Sequence, residues 1–164
     1  MTANKNTDRT LVDEVNLYTD GGCRGNPGPG AIGIVVCDAA NTVLHEYAEC
    51  IGLTTNNQAE YRALIKGLDL CAEYTLGRVR CYSDSQIVIK QVTGAYRLKH
   101  EALRPLFEEV KRRVPRFKEV VFHQVRRENP RIAHADRILN QAFEGRALSR
   151  ACPPRSQSAV QEAL

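Results

Sequence analysis

The apolar residues in the first third of the chain come in short runs rich in β-branched side chains, a pattern typical of β-strands. The pattern predicts strands over residues 15–20, 31–38 and 42–52. Between the first two runs lie five glycines and two prolines, so we expect residues 21–30 to form an irregular loop.

After residue 53 the apolar residues recur every three or four positions, which is helical spacing, and helices then alternate with strands. We predict helices over residues 54–74, 85–94, 100–114 and 132–146, and strands over residues 78–84 and 118–125. The order β-β-β-α-β-α-α-β-α predicts an α/β fold in which helices flank a mixed sheet.

The length of 164 residues and the hydrophobic content of 43% are those of one globular domain. We expect a flexible N-terminus over residues 1–12, the domain over 13–147 and a disordered tail over 148–164. No apolar run reaches the roughly 18 residues of a membrane helix, and the N-terminus lacks the apolar core of a signal peptide.

The six cysteines include no CxxC pair, which indicates a protein with reduced cysteines in the cytoplasm. We expect no membrane partner, and we expect a monomer.

The net charge of +4 is unevenly distributed along the chain. Residues 1–110 hold 11 basic and 14 acidic residues, a net charge of −3, whereas residues 111–150 hold 11 basic and 4 acidic residues, a net charge of +7. Such a basic segment suits contact with a polyanion, but a solvated basic face would have the same composition. Charge alone leaves both interpretations open.

Four acidic residues interrupt this pattern of apolar positions. Asp20 and Asp84 each end an apolar strand, and Glu60 and Asp136 each share a helix face with apolar residues. A carboxylate near a core is costly unless it is paired or bound to a cation, so the four together predict a shared divalent metal site. Oxygen ligands without a Cys or His cluster favour Mg2+ or Mn2+ over zinc.

Each acid also has a simpler explanation when taken alone. Asp84 lies inside a capping box that would run from Ser83 to Gln86 and could merely begin a helix. Asp20 could be a turn residue, and Glu60 or Asp136 could pair with an arginine.

Two nucleotide-binding motifs are disfavoured. The segment GPGAIG over residues 28–33 fits G-x-G-x-x-G, but that motif requires a helix to begin at its third glycine, and a strand-like run follows here. No G-x-x-x-x-G-K-[ST] occurs, which disfavours a P-loop.

The motifs YTDGGCRGNPGPGAIG, TTNNQAEYRAL, YSDSQ and AHADRILN, in this order over about residues 15–146, resemble the type 1 ribonuclease H family. The resemblance implies a five-stranded mixed sheet flanked by helices. It also implies a divalent-metal endoribonuclease that hydrolyses the RNA strand of RNA/DNA hybrids and leaves 5′-phosphate and 3′-hydroxyl ends. The resemblance leaves open whether double-stranded RNA is a second substrate.

The family's four metal-binding catalytic acids correspond to Asp20, Glu60, Asp84 and Asp136, the four residues that interrupt the apolar pattern. The resemblance implies two ions per active site with substrate, one activating water and the other stabilising the leaving oxygen.

Further residues correspond to substrate contacts in the family. Asn26, Asn57 and Gln86 match residues that contact the minor groove of the hybrid, where amides suit 2′-hydroxyls and base edges. Asn56 and Thr55 lie beside them, with Thr55 a candidate phosphate contact. Turn formation by Asn26 and helix capping by Thr55 and Asn56 are the alternatives.

The sequence departs from the family in the loop before the last helix, where many members carry a histidine. His123 and His134 do not clearly fill that role, and Arg127 matches an arginine that some members carry instead. An arginine is not a base near neutral pH, so we expect it to bind phosphate and the catalytic rate to be modest.

A second departure is the missing basic protrusion that many bacterial members insert after the third acid; the chain has no Trp. Binding of the substrate would then depend on Arg97, Lys99 and the basic run 111–118.

A non-catalytic hybrid- or RNA-binding module on the same fold is the alternative function. It is disfavoured because all four acids are present. An integrase or exonuclease relative finds no support in the GNPGPG and DSQ motifs.

Overall fold

The computed structural model of the protein describes residues 11–152. Within them, six strands and four α-helices follow in the order β1 (Glu14–Cys23), β2 (Gly28–Asp38), β3 (Val43–Thr54), α1 (Asn56–Cys71), β4 (Arg78–Ser83), α2 (Gln86–Val92), α3 (Arg104–Arg113), β5 (Glu119–Gln124), α4 (Pro130–Phe143) and β6 (Leu148–Ala151). Short 3-10 turns, Glu101–Leu103 and Val114–Arg116, flank α3. None of these helices is long and apolar enough to cross a membrane.

The strands form one mixed sheet in the order β5-β4-β1-β2-β3-β6. β1 runs parallel to β4, and β4 runs parallel to β5, whereas β2, β3 and β6 add on in antiparallel pairs. The carboxyl ends of β1 and β4 therefore meet at one edge of the sheet, the position at which α/β proteins usually bind ligands.

Helices cover both faces of the sheet, which makes a three-layer architecture. Leu17 of β1 belongs to the core beneath α1, α2 and α3, and the next residue, Tyr18, belongs to the core beneath α4. This alternation is the period-two pattern of a strand that is buried on both faces. The predicted α/β class and flanking helices are confirmed.

The prediction of five strands is wrong by one. Residues 148–151, which the predicted tail included, pair with β3 as β6. The segment is held by packing of Leu148 on the core beneath α4 and by an ion pair between Arg150 and buried Glu46 of β3. Residues 1–10 and 153–164, where most of the predicted flexible N-terminus and the rest of the tail fall, lie outside the described residues.

The predicted irregular loop at residues 21–30 is also shorter than expected. β1 continues through Gly21 and Gly22 to Cys23, and β2 begins at Gly28, so only residues 24–27 form the turn. A Cβ atom on Gly21 would lie 2.3 Å from the carbonyl oxygen of Ala59. This glycine therefore allows the strand to approach the first turns of α1.

Candidate active site

Two acidic side chains come from neighbouring strand ends and one from the helix above them. Asp20 lies in β1, Asp84 directly follows β4, and Glu60 lies in the second turn of α1. One carboxylate oxygen from each of the three lies within 4.8 Å of the others. The structure thus brings together three of the four predicted ligands as one compact group of oxygen donors.

The position of Glu60 follows from how α1 begins. Thr55 is the N-cap, and it forms a capping box with Gln58 that fixes the start of the helix. One turn later Glu60 accepts a hydrogen bond at Oε1 from the backbone N–H of Gly21 over 3.2 Å, and one at Oε2 from the hydroxyl of Ser83 over 3.4 Å. Glu60 is only 9% exposed, and these two hydrogen bonds hold both of its carboxylate oxygens in position.

The fourth acid lies at the rim of the same cleft. Asp136 of α4 is exposed and is not part of the compact group, but it is near enough to Asp20 to contribute to the raised pKa of that carboxyl. The apolar stripe of α4 packs on the sheet beside it, through Ile132, Ala135 and Leu139. All four acids line one open cleft of about 470 Å³.

Burial and the charges of neighbouring acids raise the pKa values of Asp20, Glu60 and Asp84. Burial, followed by the charge of Asp84 and by contacts with Asp136, raises the pKa of Asp20 to about 7. Burial and then the charges of Asp20 and Asp84 raise the pKa of Glu60 well above its usual range. Burial also raises the pKa of Asp84, and Arg127 offsets part of that increase. The cleft therefore concentrates negative charge that a bound cation would neutralise.

The simpler explanations for Asp84 and Asp20 do not hold in the structure. The N-cap of α2 is Ser85, whose hydroxyl accepts from the backbone N–H of Val88 over 3.3 Å. The capping box predicted from Ser83 to Gln86 is therefore wrong, and Ser83 instead contacts Glu60. Asp20 lies inside β1, where it pairs with Gly33 of β2, and is not a turn residue.

The two asparagines nearest the glycine-rich turn join it to α1. The side-chain oxygen of Asn26 accepts from the backbone N–H of Asn56 over 3.1 Å. The side-chain oxygen of Asn56 accepts from the backbone N–H of Cys23 over 3.0 Å. Asn56 and Asn57 line the cleft, while Thr55 is engaged as the N-cap.

The remaining predicted contacts lie farther out. Arg127 lines the cleft with its Nε atom 3.8 Å from Oδ2 of Asp84, and its side chain is 85% exposed. Gln86 is exposed beside the cleft and donates to the hydroxyl of Tyr96 over 3.4 Å.

Neither of the two histidines considered for a catalytic role, His123 and His134, lines the cleft. His123 is exposed and stacks on Tyr82, with 5.2 Å between ring centroids. His134 is buried, and its Nε2 atom lies 2.6 Å from Oε1 of Glu46.

Much of the basic run 111–118 stabilises the fold. Arg113 and Arg116 both bind Asp69 of α1, and Arg112 binds Glu109 on its own helix. Three of the five cations in this run are therefore paired within the protein, so the sequence overestimated how much of this charge is available to a substrate.

Two members of the site were missed as functional residues. Ser83 was interpreted only as a helix cap, and Arg24 of the β1–β2 turn was not singled out. Arg24 lines the cleft with its guanidinium carbon 4.4 Å from the ring centroid of Phe143. The only sequence signal for Arg24 was its place inside the GNPGPG-containing motif.

Comparison with known proteins identifies the family. A family model described as "Reverse transcriptase-like" matches residues 18–136. The crystal structure of RNase H1 from the archaeon Halobacterium salinarum superposes with a TM-score of 0.76 at 34% identity, over 81% of this chain and 99% of that one. The chain belongs to the ribonuclease HI family.

Two other ribonuclease H proteins are similar over most of this chain. LC11-RNase H1, solved in complex with an RNA/DNA hybrid, has a TM-score of 0.75 and 35% identity over 80% of this chain and 97% of that one. The bifunctional protein Rv2228c of Mycobacterium tuberculosis is 38% identical over 139 residues. That match covers 84% of this chain and 38% of the length of the bifunctional relative.

Proposed function

We propose that this ribonuclease HI domain is an endoribonuclease that hydrolyses the RNA strand of RNA/DNA hybrids and leaves 5′-phosphate and 3′-hydroxyl ends. The observation that carries the proposal is the group of three carboxylates whose oxygens lie within 4.8 Å of one another at the bottom of an open cleft. The similar LC11-RNase H1 has been solved with an RNA/DNA hybrid.

The donor set fits a hard divalent cation. The compact group consists of carboxylates alone, and Asp20 and Glu60 are largely buried with no arginine or lysine bound to them in residues 11–152. We therefore assign Mg2+ or Mn2+ as the cofactor, two ions with substrate, with Asp20, Glu60, Asp84 and Asp136 as the residues that hold them. When bound, such ions activate water and stabilise the leaving oxygen of a phosphodiester.

The protein's own groups prepare the site for this chemistry. The Gly21 N–H and the Ser83 hydroxyl fix the two oxygens of Glu60, so that this ligand needs little rearrangement. Ser83 is itself buried at the end of β4, one residue before Asp84. The two oxygens of Glu60 are thus held by groups that lie on β1 and β4.

Asn26 and Asn56 would act on the substrate as hydrogen-bond donors. Their side-chain oxygens already accept from backbone N–H groups of the protein, which leaves the Nδ2 groups free to donate. Minor-groove base edges and 2′-hydroxyls offer the matching acceptors. Arg127, exposed at the cleft, would bind a phosphate.

The test compares four duplexes of one sequence: RNA/DNA hybrid, double-stranded RNA, double-stranded DNA, and DNA with a single ribonucleotide. We expect the RNA strand of the hybrid to be cut internally and the new 5′ ends to be substrates for ligation, which requires a 5′-phosphate. Binding of the hybrid without cutting, in both Mg2+ and Mn2+, would instead support a non-catalytic binding module. Cytoplasmic location and a monomeric state stay predictions from the sequence.

A further inference from the structure

Arg24 is the cleft residue whose arrangement the proposed metal chemistry does not explain. It lies in the turn between β1 and β2, and the turn is closed by a hydrogen bond from the Arg24 N–H to the carbonyl oxygen of Pro29 over 2.9 Å. Its guanidinium lies over the ring of Phe143, the last residue of α4, at 4.4 Å from the centroid. The side chain is thus held by an aromatic contact to an element distant in sequence.

The contact leaves the hydrogen-bonding edge of the guanidinium free. Within residues 11–152, no carboxylate lies within ion-pair distance of Arg24. An arginine that stacks on an aromatic face keeps its N–H donors in the plane of the group, where they can bind a phosphate in a bidentate manner. Arg24 is exposed and lines the same cleft as the four acids.

Arg24 and Arg127 line the same cleft but are held by different parts of the fold. Arg127 lies beside the acids, with its Nε atom 3.8 Å from Oδ2 of Asp84, whereas Arg24 lies over Phe143, the last residue of α4. Asp136 comes seven residues before Phe143, which is about 10 Å along the helix axis. A polynucleotide that follows α4 from the acids towards Phe143 would therefore meet Arg24 after it has passed Asp136.

We propose that Arg24, oriented by Phe143, binds a phosphate of the strand that is cut, at a point beyond Asp136 along α4. This inference rests on the proposed function, since it assumes a nucleic-acid substrate in the cleft. Arg24 touches the substrate, and Phe143 acts through Arg24 as a positioning residue.

The test measures binding of an RNA/DNA hybrid by fluorescence anisotropy as a function of salt, in an Asp84→Asn background that does not cut it. Arg24→Ala should weaken binding about tenfold at low salt and lower the slope of log Kd against log salt by about one phosphate contact. The matched control is Arg78→Ala, which removes an exposed charge at the amino end of β4, the end of the strand opposite Asp84 and away from the cleft. It should leave both quantities unchanged.

Phe143 is tested by a double-mutant cycle. Phe143→Leu should weaken binding when Arg24 is present and have no effect in the Arg24→Ala protein, because the ring acts only through the guanidinium. Arg24→Lys should keep the salt slope but bind more weakly than wild type. Lysine retains the positive charge but lacks the paired N–H donors with which a guanidinium binds a phosphate.

An unchanged salt slope in Arg24→Ala, or an equal effect of Phe143→Leu in both backgrounds, would overturn this inference. If either result were found while the wild-type protein still cuts the hybrid, the proposed function would stand and only the role of Arg24 would be rejected. If wild type cut no hybrid at all, the proposed function itself would fail.

Discussion

The backbone N–H of Gly21 donates a hydrogen bond to Oε1 of Glu60 over 3.2 Å. The contact joins the strand that carries Asp20 to the helix that carries Glu60, across 39 residues of sequence. It requires the strand to pass so close to α1 that a side chain on residue 21 would collide with the helix backbone. The relative position of two predicted metal ligands thus depends on a residue with no side chain.

Replacement of Gly21 by alanine should therefore destabilise the protein by about 3 kcal/mol or more, because the new Cβ would lie 2.3 Å from a backbone oxygen that cannot rotate away. Gly22→Ala is the matched control, since its Cβ would meet nothing nearer than the Asn56 side-chain oxygen at 3.9 Å. Urea unfolding of the two variants measures the difference. Equal stability losses would contradict the close approach.

Asp84→Asn should raise the melting temperature of the metal-free protein, because Asp84 repels both Asp20 and Glu60. The same change should reduce the stabilisation that Mn2+ gives, since binding to the folded state is weakened. Thermal unfolding in EDTA and in Mn2+ tests both statements. Asp13→Asn, an exposed acid outside the cleft, serves as the control and should change neither value. A lower melting temperature for Asp84→Asn in EDTA would argue against mutual repulsion.

The stability of the metal-free protein should fall as the pH rises from about 4 to about 7. Burial and neighbouring acids raise the pKa of Asp20 from 3.8 to about 7, so the folded state holds a proton in this window that the unfolded state has released. Stability decreases with pH wherever the folded state binds more protons. Denaturant unfolding in EDTA across this range should show a smaller decrease for Asp20→Asn than for wild type. Parallel curves would contradict the raised pKa.

The four acids could be predicted because each interrupts a local apolar pattern that the sequence displays directly. Asp20 and Asp84 follow apolar strands, and a helical projection is enough to place Glu60 and Asp136 beside apolar residues. The order of elements along the chain, the mixed sheet and the flanking helices follow from the same periodicity together with the family resemblance. Local pattern therefore carried both the fold class and the predicted metal ligands.

The errors arose where contacts distant in sequence decide the structure. The segment 148–151 is short and polar, and it forms a strand because Arg150 reaches Glu46, over a hundred residues earlier. The glycines of residues 21–30 indicate a loop, yet pairing with β2 extends β1 through them. Ser83 fits a capping box locally, but Glu60 provides its partner. None of these partners can be identified from spacing.

The sixth strand provides a test of this long-range pairing. Burial alone would raise the pKa of Glu46, but hydrogen bonds from Arg150 and His134 leave it below the usual range. Arg150→Ala should lower the melting temperature because it removes one of the two partners of a buried carboxylate. Arg146→Ala removes an exposed charge just before β6 and should have a smaller effect. Equal effects would mean that β6 adds nothing through this ion pair.

The most direct test of the central claim is cleavage of a hybrid labelled on its RNA strand, by wild type and by Asp84→Asn, in Mg2+, Mn2+ or EDTA. We predict cleavage by wild type with divalent metal, none in EDTA, and a loss of at least about 100-fold in the variant, because a ligand of the metal site is removed. Undiminished cleavage by Asp84→Asn, or cleavage by wild type in EDTA, would contradict catalysis at this carboxylate site.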